Sequence, residues 1–350
     1  ARELANELGA LATVASVDIE LTAVYLLRFE LERSLEAAQR ALAASHRYRL
    51  MGVQSVASLF LAELHGLRGD RAGMEGLLAD LPAVDGEEAA YFETCRNAFR
   101  GEASLCENNR KQALRELAAA VTSGRRLSTA APSPCFGEWT LVWSLENRDS
   151  SEAQARAEAP PPWAMIHPIN RAMVQYAAAV RLGRRGQAAR AAEAAALGDR
   201  LVAQAPWYLH MGRRLMADAA IADRWGEPAR WLPGCETFFD QHGYQAVASA
   251  CRSLLRRCGA RSTGARTHPG VPEPFARLGV TQREMEVLAV LPDGLSNKEI
   301  AARLYLSTKT VEKHVASLMD KLAVRSRAHL AAIATARGGV GHQQYGSPVE

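Results

Sequence analysis

Between Thr281 and Arg337 the sequence marks the start of four short helices so closely that few folds remain open to the segment. Thr281 stands three residues before Glu284 and Ser296 three before Glu299, the spacing at which hydroxyl and carboxylate each satisfy an orphan amide of a first helical turn. Ser307 caps a third helix that runs to about Leu322, and Ser326 sits where a fourth begins after Ala323, Val324 and Arg325. Pro292, Asp293 and Gly294 close the first helix, because proline cannot continue the ladder and glycine accepts a positive φ.

Within these limits Val287, Leu288, Leu291, Ile300, Ala301, Leu304, Val311, Val315, Leu318 and Leu322 recur at helical spacing and are expected to form one small core. Only Tyr305, Leu306 and Ser307 separate Leu304 from Thr308. A connection that short turns one helix across its predecessor, as in a helix-turn-helix. The second helix is expected to present Thr308, Lys309, Glu312, Lys313, Ala316 and Ser317 away from the core, on the face suited to a DNA major groove.

At these residues the segment resembles the C-terminal DNA-binding domain of LuxR-type (NarL/FixJ) transcriptional regulators. The likeness runs from about Leu278 to Arg337 and is carried by T-x-R-E-x-E-V-L, G-L-S-N-K-E-I-A, L-S-x-K-T-V-E-K-H-V and V-R-S-R. It implies base contacts from Glu312, Lys313 and Ala316. It implies phosphate contacts from Asn297, Lys298, Ser307, Thr308, Lys309, Thr310, Arg325 and Arg327. It also implies a homodimer on double-stranded promoter DNA, with Leu330, Ala331 and Ile333 of the last helix as the apolar stripe between copies. Several members of that family carry Arg or Lys where this chain has Glu312. A glutamate does not pair with guanine O6/N7 but accepts from cytosine N4, so either it reads a base or it remains a solvated charge. His314 reads as a helix-face residue, not a catalytic or metal group.

Charge agrees with the DNA reading. Cys251 to Arg337 holds 15 Lys and Arg against 7 Asp and Glu, whereas residues 1–250 hold 27 against 30. The basic excess therefore coincides with the helix-turn-helix and its approach, where it attracts phosphates.

The first 250 residues show helical periodicity with few β-branched runs. Turns near Phe29-Glu30, Gly69-Asp70, Asn109-Arg110, Asp149-Ser150, Gly186-Gln187 and Gly226-Glu227 recur at steps of about 37 to 40 residues. A small residue follows each: Ser34, Ala72, Ala113, Ala153, Ala189 and Ala229. The period implies stacked antiparallel helix pairs similar to tetratricopeptide repeats. Prolines at Pro132-Pro134, Pro160-Pro162 and Pro168 mark loops between pairs. Trp139, Trp143, Trp163, Trp207 and Tyr208 are read as packing between helix pairs; the alternative is an aromatic-lined ligand or peptide site.

The fold class expected is therefore all-α, a tetratricopeptide-like α-solenoid followed by a four-helix LuxR-type helix-turn-helix domain. The divisions are 1–258 for the helical repeats, a sensor or interaction domain; 259–274 for a flexible linker; 275–337 for the DNA-binding domain; and 338–350 for a disordered tail.

The six cysteines form no C-x-x-C pair, no run of 18 apolar residues exists and the start lacks the plan of a signal peptide, so a cytoplasmic protein with reduced thiols is expected. Cys251 and Cys258 are taken as two turns of one helix. No phosphate-binding G-x-x-x-x-G-K-[ST], H-E-x-x-H or G-x-S-x-G motif occurs. The expectation is a non-enzyme without cofactor or metal: a sequence-specific transcriptional regulator whose repeats take a protein or small-molecule partner. The architecture also resembles the large ATP-binding LuxR-family regulators, which implies an ATPase preceding Ala1. Two alternatives stand beside this one, an interaction scaffold that binds DNA without specificity and the effector end of such an ATPase switch.

Overall fold

The computed structural model describes residues 11–127, 135–148, 151, 159–162, 164–259, 271–272, 274–275, 278–304 and 306–337. Among these the fold is all-α, with sixteen α-helices, two 3-10 turns and no strand. Two compact units divide the chain, 1–236 with 246–262 and 237–245 with 263–350.

In the first unit the helices are α1 (Leu11–Leu27), α2 (Leu31–Tyr48), α3 (Met51–Leu67), α4 (Arg71–Ala79), α5 (Gly86–Cys106), α6 (Arg110–Gly124), α7 (Cys135–Glu146), α8 (Pro168–Arg184), α9 (Ala188–Leu201) and α10 (Pro206–Asp223). Two more follow, α11 (Pro228–Gln241) and α12 (Gln245–Arg257), of which residues 237–241 and 245 are assigned to the second unit. Packing is largely between neighbours: α1 on α2, α2 on α3, α3 on α4 and α5, α5 on α6, α6 on α7, α7 on α8, and α8 on α9 and α10.

Four of the spaced turns share one backbone geometry; near Gly226-Glu227 the helix closes earlier, Trp225 donating to the Ala220 carbonyl at 3.1 Å after Arg224 at φ 57°. At Glu30, Asp70, Asn109 and Gln187 the amide donates to the carbonyl five residues back, at 2.8 to 3.0 Å. The preceding residues, Phe29, Gly69, Asn108 and Gly186, take a positive φ of 58 to 76°, which closes each helix with its last carbonyls satisfied. Each turn then starts the next helix from a cap residue with φ between −87 and −102° and ψ between 58 and 76°. Asp70 and Asn109 add side-chain caps to Gly73 and Gln112. The turn expected at Asp149-Ser150 lies outside the described residues.

The small residues assigned to these turns need correction. Ser34 and Ala113 are fully buried, but Ala72, Ala189 and Ala229 are exposed, and Ala153 lies outside the described residues. The buried place is the fourth after the cap, held by Ser34, Met74, Ala113 and Ala191. That position points back over the preceding turn onto the partner helix.

Close approach is achieved elsewhere. The Tyr176 ring of α8 is gripped between Gly198 of α9 and Gly212 of α10, where a β-carbon would stand 2.4 and 2.3 Å from the ring. Its hydroxyl donates to Asp199 Oδ1 at 2.8 Å, and the Arg213 guanidinium reaches the same carboxylate. Of the proline clusters, Pro160 to Pro162 form a loop, Pro168 opens α8 after its cap His167, and Pro132 to Pro134 lie outside the described residues. Cys251 is buried in α12, but Cys258 lies one residue past its end and is partly exposed, so the two do not share one helix.

The second unit holds α13 (Gln282–Val290), a 3-10 turn (Leu291–Asp293), α14 (Asn297–Leu304), α15 (Thr308–Lys321) and α16 (Arg327–Arg337). Its core unites Val287, Leu288, Leu291, Ile300, Ala301, Val311, Val315 and Leu318, with Leu304 and Leu322 partly buried against it. Val271 and Phe275 belong to the same core, so buried structure begins inside the segment read as linker. Residues 260–270 of that linker and the tail 338–350 lie outside the described residues. No described helix is long and apolar enough to cross a membrane.

Candidate nucleic-acid interface

Local chemistry fixes where α15 begins and how it is held. Ser307 Oγ accepts the Thr310 amide at 3.1 Å, and Ser307 and Thr310 share a hydroxyl contact at 2.8 Å. Both anticipated capping boxes form. Thr281 and Glu284 exchange bonds of 3.2 and 2.7 Å, and Ser296 and Glu299 bonds of 3.3 and 2.7 Å. Gly294, at φ 72°, terminates the 3-10 turn after Pro292.

Glu284 does more than cap. Its carboxylate, 4% exposed, also accepts Ser317 Oγ at 2.6 Å and Lys321 Nζ at 2.6 and 2.7 Å, tying α13 to the C-terminal half of α15. Burial alone would raise its pKa. The bonds from Lys321, Ser317 and the Thr281 amide outweigh that and hold the carboxyl below its usual range. With Val311, Val315 and Leu318 facing inward, α15 is fixed in rotation about its own axis.

That rotation leaves Thr308, Lys309, Glu312, Lys313 and Ala316 exposed along one side. Ser317, expected on the same side, is turned toward α13 by its bond to Glu284. His314 is half-buried, and burial pushes its pKa down, so it is a neutral packing residue. Glu312 makes no ion pair among the described residues.

The residues expected on phosphates divide into two groups. Lys298, Thr308, Lys309 and Arg325 are exposed. Asn297 and Arg327 are half-buried and bonded to each other, and the same guanidinium also reaches the Leu295 carbonyl, so they brace α16 against the start of α14. Ser307 and Thr310 are engaged in the cap. The dimer stripe is corrected as well: Leu330 is 0% exposed in the core, and Ala331 and Ile333 pack partly buried beside it. An apolar stripe on a helix does not say whether its cover is the same chain or a second copy; here the same chain covers Leu330 and leaves Ala331 and Ile333 partly exposed.

Sequence reasoning missed Glu284 as the lock of α15, although its two roles share one position. Lys321 and Ser317 lie four residues apart on α15, one turn of helix, and that spacing was the available signal.

The same segment matches known proteins. Residues 279–334 match the family described as bacterial regulatory proteins, luxR family. The transcriptional regulatory protein LnrK of Bacillus subtilis (strain 168) is 50% identical over 70 residues, 20% of this chain and 31% of that protein. The DNA-binding transcriptional activator DevR/DosR of Mycobacterium tuberculosis (strain ATCC 25618 / H37Rv) is 33% identical over 122 residues, 34% of this chain and 54% of that protein. The HTH-type transcriptional regulator MalT of Yersinia enterocolitica (serotype O:8 / biotype 1B, strain NCTC 13174 / 8081) is 41% identical over 61 residues, 17% of this chain and 7% of that protein. The chain thus spans 31% and 54% of the length of the first two of these. No solved structure matches it. Capped helices, a short turn, an exposed polar face on the helix that follows it and this match agree: residues 279–334 are a helix-turn-helix domain of the luxR family of bacterial regulatory proteins.

Proposed function

We propose that the chain is a sequence-specific DNA-binding transcriptional regulator that inserts α15 into a major groove. The observation that carries this reading is the uncovered face Thr308, Lys309, Glu312, Lys313 and Ala316 on a helix whose opposite face is locked into a core. A groove floor offers donors and acceptors at that scale, and its walls offer phosphates. Among the described residues Lys309, Lys298 and Arg325 are exposed cations for the walls. Lys313 and Glu312 reach the floor, Glu312 accepting from cytosine N4, and Ala316 meets an apolar base edge such as the thymine methyl.

The helical repeats, packed neighbour on neighbour, form the arm that receives a signal or partner. Two copies bind half-sites about one helical turn apart. With Leu330 committed to the core, the exposed side of α16 at Ala328, Ala332 and Thr335 is the surface left for contact between copies.

The test is selection of bound fragments from a random DNA pool with the full chain, followed by mobility shift on the selected site. Lys309→Ala and Lys313→Ala should each weaken binding, and every cation withdrawn from a phosphate should lower the slope of log K against log salt by about 1. Glu312→Ala should relax preference at one base pair by about 1 to 3 kcal/mol. Enrichment of no sequence, with salt-sensitive binding to all, would replace this reading with that of a non-specific scaffold.

A further inference from the structure

The first unit contains a cavity of about 150 Å³ walled by α1, α3, α5 and the starts of α8 and α10. A void of that size admits a benzene ring. Phe60, Tyr91, Phe99, Trp207 and Tyr208 line it together with Phe29, whose ring stacks on Trp207 at 5.7 Å and 7°. Phe29 holds φ at 59°, a conformation that a bulky side chain rarely takes, and the stacking offsets that strain. Trp139 and Trp143 pack on each other instead, at 6.1 Å, and Trp163 lies outside the described residues.

One lining residue does not belong to an apolar wall. Glu63 of α3 is 8% exposed, and no donor among the described residues reaches its carboxylate. Behind it stand Glu102 of α5, 2% exposed with both oxygens unbonded, and Glu138 of α7, 3% exposed. The lining contains no Lys or Arg. Tyr91, Cys95 and Tyr208 stand close to these carboxyls, and burial keeps the imidazole of His167, another lining residue, neutral by lowering its pKa. Among the described residues no group of His, Cys, Asp and Glu converges at metal-binding spacing. Of these three acids Glu63 alone lines the aromatic-walled void, a buried acid beside space for a positive charge on an apolar body.

We propose that this cavity is the binding site for a small organic cation, a primary ammonium on an aromatic or aliphatic body, whose ammonium bonds Glu63 while its body lies between Trp207 and Tyr91. Burial keeps Glu63 protonated; the ammonium displaces that proton to solvent, and its charge is then met by the carboxylate and by the faces of the aromatic rings together. Glu102 and Glu138, held protonated by burial, do not touch the ligand. The site gives the receiving arm proposed above a ligand class and rests on that reading; the titration below uses no DNA, so its failure and that of the DNA reading are separable.

The experiment titrates the full chain by calorimetry with benzylammonium chloride, benzyl alcohol and sodium benzoate, three probes of one shape and different charge. Benzylammonium should bind one site per chain at least about tenfold more tightly than the alcohol, the scale of one charge-assisted hydrogen bond, and benzoate should not bind. Glu63→Gln should remove that preference while leaving the alcohol unchanged. Glu138→Gln, which does not line the cavity, should retain it. If Glu63→Gln loses helicity by circular dichroism, the ranking of the three probes on the unaltered chain still decides. Equal affinity for ammonium and alcohol, an unchanged preference in folded Glu63→Gln, or no binding of benzylammonium at millimolar concentration would each overturn the proposal.

Discussion

Removing Lys321 tests whether Glu284 sets the pose of the groove-facing helix. The ammonium lies 2.6 and 2.7 Å from the two carboxylate oxygens, and the carboxylate has almost no access to water. Stripping one partner from a fully buried ion pair costs about 3 to 5 kcal/mol, because the remaining charge stays buried. The Lys321 side chain keeps 26% of its surface, so water enters when it is truncated, and Ser317 and the Thr281 amide still donate. Lys321→Ala should therefore cost about 2 kcal/mol, a rise of about 30-fold in the opening of α15. Glu284→Ala loses the capping box as well and should cost about 3 kcal/mol. The assay is amide hydrogen exchange on the full chain, followed in peptides covering residues 308–321. Because bonding holds the Glu284 carboxyl below its usual range, its contribution is present above that range and is lost as pH falls through the depressed value. Protection in α15 should fall with acid in the parent chain and much less in Glu284→Ala. Exchange from Val311 to Leu318 that changes less than about twofold in Lys321→Ala would refute the lock.

Three further outcomes follow from the packing. Gly198→Ala and Gly212→Ala each drive a methyl into the Tyr176 ring and should destabilise the first unit by about 1 to 3 kcal/mol, read as a lower Tm by circular dichroism; unchanged melting would show that the ring has room to move. Leu330→Ala should cost about 2 to 5 kcal/mol and expose α16 amides to exchange at every protein concentration, whereas an effect that vanishes on dilution would return Leu330 to an interface between copies. Burial and the neighbouring Glu63 push Glu138 up to about 8, and Glu63 and Glu102 are raised as well. Stability from these protonated acids is complete below the ordinary carboxylate range and is lost as pH rises through the raised values. Melting of the first unit should fall as pH rises from the ordinary carboxylate range to about 8, and Glu138→Gln should flatten that fall; a flat profile in the parent chain would contradict the burial of the three acids.

What the sequence disclosed was local. Thr281, Ser296, Ser307 and Ser326 act on amides three residues ahead, so their spacing carries the whole signal, and the turns at Glu30, Asp70, Asn109 and Gln187 are legible for the same reason. What remained hidden depends on elements distant along the chain. Ala72 and Ala189 follow their caps by two residues and point outward, while the helix-to-helix packing falls two residues later, a rotation that spacing alone does not fix. Leu330 reads as a stripe on α16 whichever surface covers it. Asn297 and Arg327, 30 residues apart, share a hydrogen bond that removes both from the expected phosphate wall. Glu63 lies within Leu59-Phe-Leu-Ala-Glu-Leu64, and a lone acid in so apolar a run was the one trace of the buried cluster.

The ring of Tyr176, held by a glycine on either side, has a mechanical result. A joint with no slack transmits load instead of absorbing it, so α8, α9 and α10 answer a push as one stiff wedge. Trp207 stands in the first turn of α10 and lines the cavity, so the wall of that cavity is built on the same wedge.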